Sequence, residues 1–274
     1  MWNFSSDAAE YAAHAEAFLK ADPAANTVPL TVLAGTRMGM WGDRHLFGWW
    51  SEDGEVSGAM FRTAPHPLYL ARMPLAAVPP LARELRARGV ETPEVSGPAD
   101  LVDAFLDASG ATERAPRRNE RLYRLGTLAV PEVTGHGRRA TLGDFPLVVN
   151  WYEAFAVEAG LRVGDDLAER THRRIEQGDM LLWIDGEMPV SFAGISPEAA
   201  GMCRIGPVYT PPSSRRRGYG SAVTAYASQV ALAERCTMTV LFTDLSNPTS
   251  NAIYQSIGYE PVSDYAFVVL DPVR

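Results

Sequence analysis

Lysine is all but missing from this chain. Lys20 is the only one and every other basic residue is arginine, a bias that points to coding composition rather than to a task. Cysteine is scarce as well. Cys203 and Cys236 have no metal-ligand spacing, so they are expected to be free buried thiols, which suits a reducing cytoplasm. The histidines, His14, His45, His66, His136 and His172, form no spaced cluster, and no metal is expected. No apolar run is long enough to span a bilayer. The opening residues, Met1-Trp2-Asn3-Phe4-Ser5-Ser6-Asp7, have no basic region followed by an apolar core, so neither a membrane segment nor a signal peptide is expected. Positive charge is in deficit: a net charge of −8 argues against a nucleic-acid binder. The 274 residues are 46% apolar, an ordinary share for a globular protein and enough length for two domains.

What is present centres on Gly206 to Ser221, Gly-Pro-Val-Tyr-Thr-Pro-Pro-Ser-Ser-Arg-Arg-Arg-Gly-Tyr-Gly-Ser. A short apolar strand pattern, Met202 to Tyr209, leads into it, and an Ala-rich helical pattern, Ala222 to Arg235, leads out. The first turn of a helix has N–H groups without internal partners and a partial positive charge, so a strand, a loop and a helix can cradle phosphate. Gly218 and Gly220 let an anion approach the main chain, and Arg215, Arg216 and Arg217 add charge. The loop lacks the Gly-Lys-Ser/Thr of a Walker loop, and its glycine spacing is not that of the dinucleotide fingerprint. Arg215-x-x-Gly218-x-Gly220 resembles the acyl-CoA loop of the GNAT superfamily of N-acyltransferases. The resemblance implies that main-chain amides from Arg215 to Ser221, Tyr219 included, hold the CoA diphosphate. It also implies that the amide of Val208 or Tyr209 faces the acyl oxygen. Arg215 is expected to pair with phosphate, against the plain alternative of a solvated charge.

A second motif supports the first. Asp244-Leu245-Ser246-Asn247-Pro248-Thr249-Ser250-Asn251-Ala252-Ile253-Tyr254 follows a β-branched strand, Thr239–Thr243, and Gly258-Tyr259 ends the helix that begins at Pro248. Asn251 and Tyr254, three apart, share a helix face. This stretch resembles the later conserved part of the GNAT family. By that resemblance Asn247 and Asn251 contact the pantetheine arm and Tyr254 points its hydroxyl at the thioester sulfur. The plain alternatives are a core tyrosine at 254 and a local helix-end bond at Asn251. Glu158, Glu187 and Glu198 are candidates for a general base by position only. Cys203 sits in an apolar run without a nearby His, which makes it a packed thiol rather than a nucleophile.

Hydrophobic periodicity gives nearly the same order of elements twice. The first half is expected to run helix 5–21 with Asp7 as a possible cap, helix 27–38, strands at 45–50, 55–63 and 68–72, helix 76–88, strand 92–96, helix 98–109 and strand 121–130. After a Pro- and Gly-containing linker, 131–137, the second half is expected to run strand 138–141, helix 144–159 capped by Asp144, and helix 165–177. Strands 180–184, 190–196 and 202–209 follow, then the loop and its helix, strand 239–243, helix 248–257 and a final strand broken near Ser263-Asp264. The fold class is therefore expected to be α/β (α+β): two GNAT-like domains, each a mixed, mostly antiparallel sheet flanked by helices, the alternative being one α/β core with an unrelated N-terminal extension. Residues 1–130 form a degenerate domain without a CoA loop, because Arg72-Met73-Pro74-Leu75-Ala76-Ala77-Val78-Pro79-Pro80 has no such motif and its prolines lack amides. Residues 138–274 form the catalytic domain.

The function these expectations point to is acyl-CoA-dependent N-acyl transfer, acetyl-CoA to an amine of a small molecule or a protein, in the cytoplasm. The amine attacks the thioester directly, a tetrahedral intermediate forms, and Tyr254 is general acid to the CoA thiolate. A homodimer is left open. Two alternatives stand beside it: a CoA-responsive binding or regulatory module without turnover, and a tandem GNAT enzyme acting on a thiol-containing metabolite precursor.

Overall fold

The computed structural model describes residues 1–37, 39, 44–161 and 163–271. In chain order the elements are β1 (Trp2–Ser5), α1 (Ala8–Ala21), α2 (Thr27–Arg37), β2 (His45–Glu52), β3 (Glu55–Thr63), β4 (Leu68–Leu70), α3 (Val78–Ala87), β5 (Glu94–Pro98), α4 (Ala99–Ser109) and β6 (Arg118–Leu125). They continue as β7 (His136–Arg139), α5 (Phe145–Glu158), α6 (Leu167–Glu176), β8 (Met180–Asp185), β9 (Met188–Ile195), β10 (Met202–Tyr209), α7 (Tyr219–Glu234), β11 (Met238–Asp244), α8 (Pro248–Ser256) and β12 (Tyr259–Val269). One compact unit comprises Met1–Leu122, Thr243–Asn247 and Pro261–Arg274, and the other Tyr123–Phe242 and Pro248–Glu260. These units cut the chain differently from the expected boundaries at 130 and 138, since most of the last strand belongs to the first unit.

In the first unit β1, β2, β3 and β4 pair antiparallel in sequence, β4 pairs parallel with β5, and β5 pairs antiparallel with Tyr265–Val269 of β12. Asp7 starts α1 by accepting the Ala9 amide at 2.7 Å, so the expected cap is in place. Tyr11, Ala15 and Leu19 then line its buried face. The β2–β3 hairpin turns on Asp53 and Gly54, both at positive φ, which matches the twist of the strands it joins. α3 and α4 bury Val78, Leu81, Leu85, Val102 and Phe105 against Met60, Leu70, Val95 and Val268 of the sheet.

The second unit repeats this order. β7, β8, β9 and β10 pair antiparallel in sequence and β10 pairs parallel with β11. α5 and α6 pack Val148, Trp151 and Ile175 on Leu182, Phe192 and Tyr209. A second cluster joins Val223 and Ala227 of α7 and Tyr254 of α8 to Leu181, Ala193, Ile205 and Leu241 of the strands. α7 is buried along most of its length and carries mostly small residues there, so its backbone lies close to the sheet. The strands are mixed and mostly antiparallel and are flanked by helices.

Several expectations need correction. β1 was not foreseen: four residues, Trp2-Asn3-Phe4-Ser5, are too few for an alternation to stand out. The last strand is one run of eleven residues without a break at Ser263-Asp264. Asp144 does not cap α5. Its carboxylate turns back to accept the Thr141 amide at 2.8 Å and the Arg138 guanidinium at 2.7 Å, closing a short 3-10 turn ahead of the helix. α7 begins at Tyr219, so Gly220 lies inside its first turn. Met38, the expected end of α2, lies outside the described residues.

Candidate functional site

β10 changes partners along its length. Met202–Arg204 pair parallel with Met238–Val240 of β11, and that ladder ends at Arg204. A register shift follows between Ile205 and Val208, after which Val208 and Tyr209 pair only with Ala193 and Phe192 of β9 among the described residues. The outer half of β10 therefore has one edge without a ladder, at the end where the loop departs.

The loop itself is built to present amides. A 3-10 turn, Pro212–Ser214, is closed by the Ser214 amide on the Pro211 carbonyl at 2.8 Å. Arg216 has φ +61° and Gly218 φ +82°, and the first bond of α7 runs from the Ala222 amide to the Gly218 carbonyl at 3.0 Å. Among the described residues, the amides from Arg216 to Ser221 find no main-chain acceptor. Left-handed residues followed by a helix start make a concavity lined with N–H groups, with the helix dipole aligned to favour an anion.

The arginines of the loop are exposed, but two of them are already paired. Arg215, expected on phosphate, donates from Nε to the Thr210 carbonyl at 2.8 Å and from Nη2 to both carboxylate oxygens of Glu158 at 2.7 Å. Its guanidinium lies over the Tyr209 ring, whose hydroxyl donates to Glu158 Oε1 at 3.4 Å. Burial, then the negative charge of Glu158, raises the Tyr209 phenol above its ordinary value. Arg217 reaches Asp185 at 3.3 Å and covers the ring of Tyr219, whose hydroxyl bonds the same carboxylate and is raised by it. Arg216 is exposed. Of the proposed bases, Glu158 alone stands at this loop: Glu187 is exposed on the β8–β9 turn, and Glu198 accepts the Gly201 amide.

At the second motif the Asp244 carboxylate closes the turn by accepting the Ser246 amide at 2.7 Å, and the Asn247 amide bonds the Asp244 carbonyl at 3.1 Å. Asn247 is exposed and lies in the first unit, whereas Asn251 and Tyr254 lie in the second. Asn251 Oδ1 accepts the Tyr123 hydroxyl at 2.9 Å, and Gln255 donates to that hydroxyl at 3.5 Å. Nothing in the sequence signalled Tyr123, which is 128 positions from Asn251. Tyr254 is 9% exposed, packed in the α7 core and edge-on to Tyr259 at 6.3 Å. Burial raises its phenol above the ordinary value, with Tyr259 adding to the shift. Tyr259 is fixed by Ser228 at 2.8 Å and Thr239 at 3.2 Å, and burial pushes it up to about 12.

The remaining candidates are placed more simply. Both cysteines are free and buried, and burial followed by its neighbour Cys236 pushes the Cys203 thiol up to about 12, far from a reactive thiolate. Among the described residues no group of three or more His, Cys, Asp or Glu is placed to hold a metal ion, and no helix is long and apolar enough to cross a membrane. A surface hollow of about 430 Å³, lined by Phe145, His172 and Glu176 among others, lies on α5 and α6 rather than at the loop.

Among the described residues, then, a strand with one open edge runs into a loop whose amides lack main-chain acceptors and on into a small-residue helix. Residues 145–259 match the model of the Acetyltransferase (GNAT) family. The chain is similar over 99% of its length to all of an acetyltransferase of the GNAT family from Colwellia psychrerythraea, at 12% identity and a TM-score of 0.64. A GCN5-related N-acetyltransferase from Sphaerobacter thermophilus is similar at 16% identity, over 99% of this chain and 97% of that one, with a TM-score of 0.64. A tandem GNAT protein from the clavulanic acid biosynthesis pathway aligns over the full length of both chains at 12% identity, with a TM-score of 0.58. At such identities the likeness is one of fold. No curated protein matches the chain in sequence. Family and fold together support an acyltransferase in general terms.

Proposed function

We propose that the second unit is an acyl-CoA-dependent N-acyltransferase, moving an acetyl group from acetyl-CoA to the amine of a small molecule or a protein. The observation that carries this reading is the run of amides from Arg216 to Ser221, without main-chain acceptors among the described residues, at the start of α7. They would take the diphosphate, with Gly218 and Gly220 allowing close approach. The pantetheine arm would run along the open edge of β10 toward Asn251. The neutral amine attacks the thioester carbon, and the carbonyl oxygen gains the charge, facing the amide of Val208 or Tyr209. The C–S bond then breaks, the sulfur takes a proton from the Tyr254 hydroxyl, and the extra proton of the new amide returns to the Tyr254 oxygen through water. A phenol raised by burial is protonated before the reaction, so Tyr254 stands in its acid form when the sulfur departs.

The first unit is read as a degenerate GNAT-like domain, supported by the repeated order of elements and by full-length likeness to a tandem GNAT protein. Two buried free thiols favour the cytoplasm. A second reading, a CoA-binding module without turnover, is favoured by one observation, the packing of Tyr254 into the core.

The test is thiol release from acetyl-CoA with a panel of amines, in the wild type and in Tyr254→Phe. We expect amine-dependent release, a fall in kcat of about 10²-fold in the variant, and unchanged CoA affinity. Wild-type turnover by Tyr254→Phe would remove the acid role. CoA binding with no amine-dependent release would leave the binding module, and absence of CoA binding would end both readings.

A further inference from the structure

Glu158, the last residue of α5, occupies the guanidinium that the family loop would offer to a ligand. Both oxygens of its carboxylate accept from one nitrogen, Nη2 of Arg215, rather than from the two-nitrogen fork that makes carboxylate–arginine pairs strong. The side chains are 42% and 47% exposed, so water screens the pair and its net worth is small. A diphosphate held by the neighbouring amides would place more negative charge, and more acceptor oxygens, within reach of the same guanidinium. A carboxylate and a diphosphate cannot both stay beside one arginine without repelling each other.

We propose that Glu158 and the donor's diphosphate compete for Arg215: the carboxylate holds the guanidinium in the free protein and releases it when the donor binds. This rests on the loop being the CoA site. The exchange leaves Glu158 uncovered beside the Tyr209 hydroxyl, so that the donor-loaded protein presents a free carboxylate at the end of β10. Glu158 is thereby a positioning residue that acts through Arg215.

The experiment is a calorimetric titration of CoA into the wild type, Glu158→Gln, Arg215→Gln and the double variant, with Glu158→Asp as a weaker competitor. Glu158→Gln is expected to bind CoA about 2–5-fold more tightly, Glu158→Asp to fall between it and the wild type, and Arg215→Gln to bind about tenfold more weakly. The double variant is expected to match Arg215→Gln, because Glu158 then has nothing to withhold. Weaker or unchanged binding by Glu158→Gln overturns the proposal, since the carboxylate would then be a brace or a bystander. An equal gain in the Arg215→Gln background also overturns it, since the effect would be the general field of a lost charge. Wild-type protein that takes no CoA would instead sink the loop assignment itself.

Discussion

A methyl group added at Gly220 would meet the Thr210 hydroxyl oxygen at 3.5 Å and Ile253 Cδ1 at 3.9 Å, both ordinary contacts. Its φ is not positive, and it sits in the first turn of α7. Neither packing nor backbone conformation therefore requires glycine there, in contrast to Gly218, where φ is +82° and a Cβ would come within 2.9 Å of Val133. What remains is the approach of something outside the chain. Gly220→Ala should leave the unliganded protein as stable or up to about 1 kcal/mol more stable, while CoA affinity falls by at least about tenfold as the Cβ enters the anion's space. Urea unfolding and calorimetry on the same preparation check both halves, and unchanged affinity would remove the diphosphate from this turn. Spacing made the glycines legible at the level of single residues. The partners of the arginines were not, because Glu158 is 57 positions from Arg215 and Asp185 is 32 from Arg217. Only the fold brings such pairs together. The orientation of Tyr254 was hidden for a related reason: helical spacing gives the face a residue shares, not whether that face meets a ligand or a core.

At the scale of elements, the passage from β7 into α5 depends on one ion pair. Arg138 holds the Asp144 carboxylate at 2.7 Å, and this hydrogen bond, partly offset by burial and helped by Thr141, lowers the carboxyl to about 2. A carboxylate whose folded value is depressed contributes stability above its unfolded value and loses it as pH falls toward the folded one. The contribution here should be complete at neutral pH and should decline from about pH 4 toward pH 2, the value for Asp144 in the fold. Because Arg138 is 36% exposed, solvent screening reduces the worth of the pair to about 1 kcal/mol. Arg138→Met should therefore lower the urea midpoint at pH 7, with the gap to wild type closing between pH 4 and 2; a gap independent of pH would mean lost packing. The same segment shows why elements were easier to foresee than their ends. The period of α5 was visible, but an aspartate before a helix can cap it or turn back on the preceding residues. The choice was made by Arg138 and Thr141, which the spacing of apolar residues does not report. Likewise β12 crosses polar Ser263-Asp264 without a break, because Arg121 holds Asp264 at 2.6 Å and keeps the strand continuous.

Across the whole chain, two units carry the same order of elements, but their parallel strand pairs are followed by different chemistry. Where β10 is followed by a loop rich in amides, β4 is followed by Pro74 and then by Pro79 and Pro80 in the first turn of α3, positions with no N–H to offer. Across β4 and β5, an added Cβ at Gly97 would come within 2.5 Å of the Leu70 carbonyl oxygen, so the two backbones are already in contact where an extended ligand arm would need room. A chain with two similar units should therefore take up one CoA, not two. Equilibrium dialysis of labelled CoA against the full chain should saturate at one per chain, and Gly220→Ala should weaken all of that binding rather than remove half of it. The variant separates this expectation from a simple count, because a weak first-unit site would survive a change made in α7. Residual binding with wild-type affinity in Gly220→Ala, or saturation at two, would show that missing amides and a closed strand pair do not prevent donor binding. The reading of the first unit as a degenerate partner would then have to be given up.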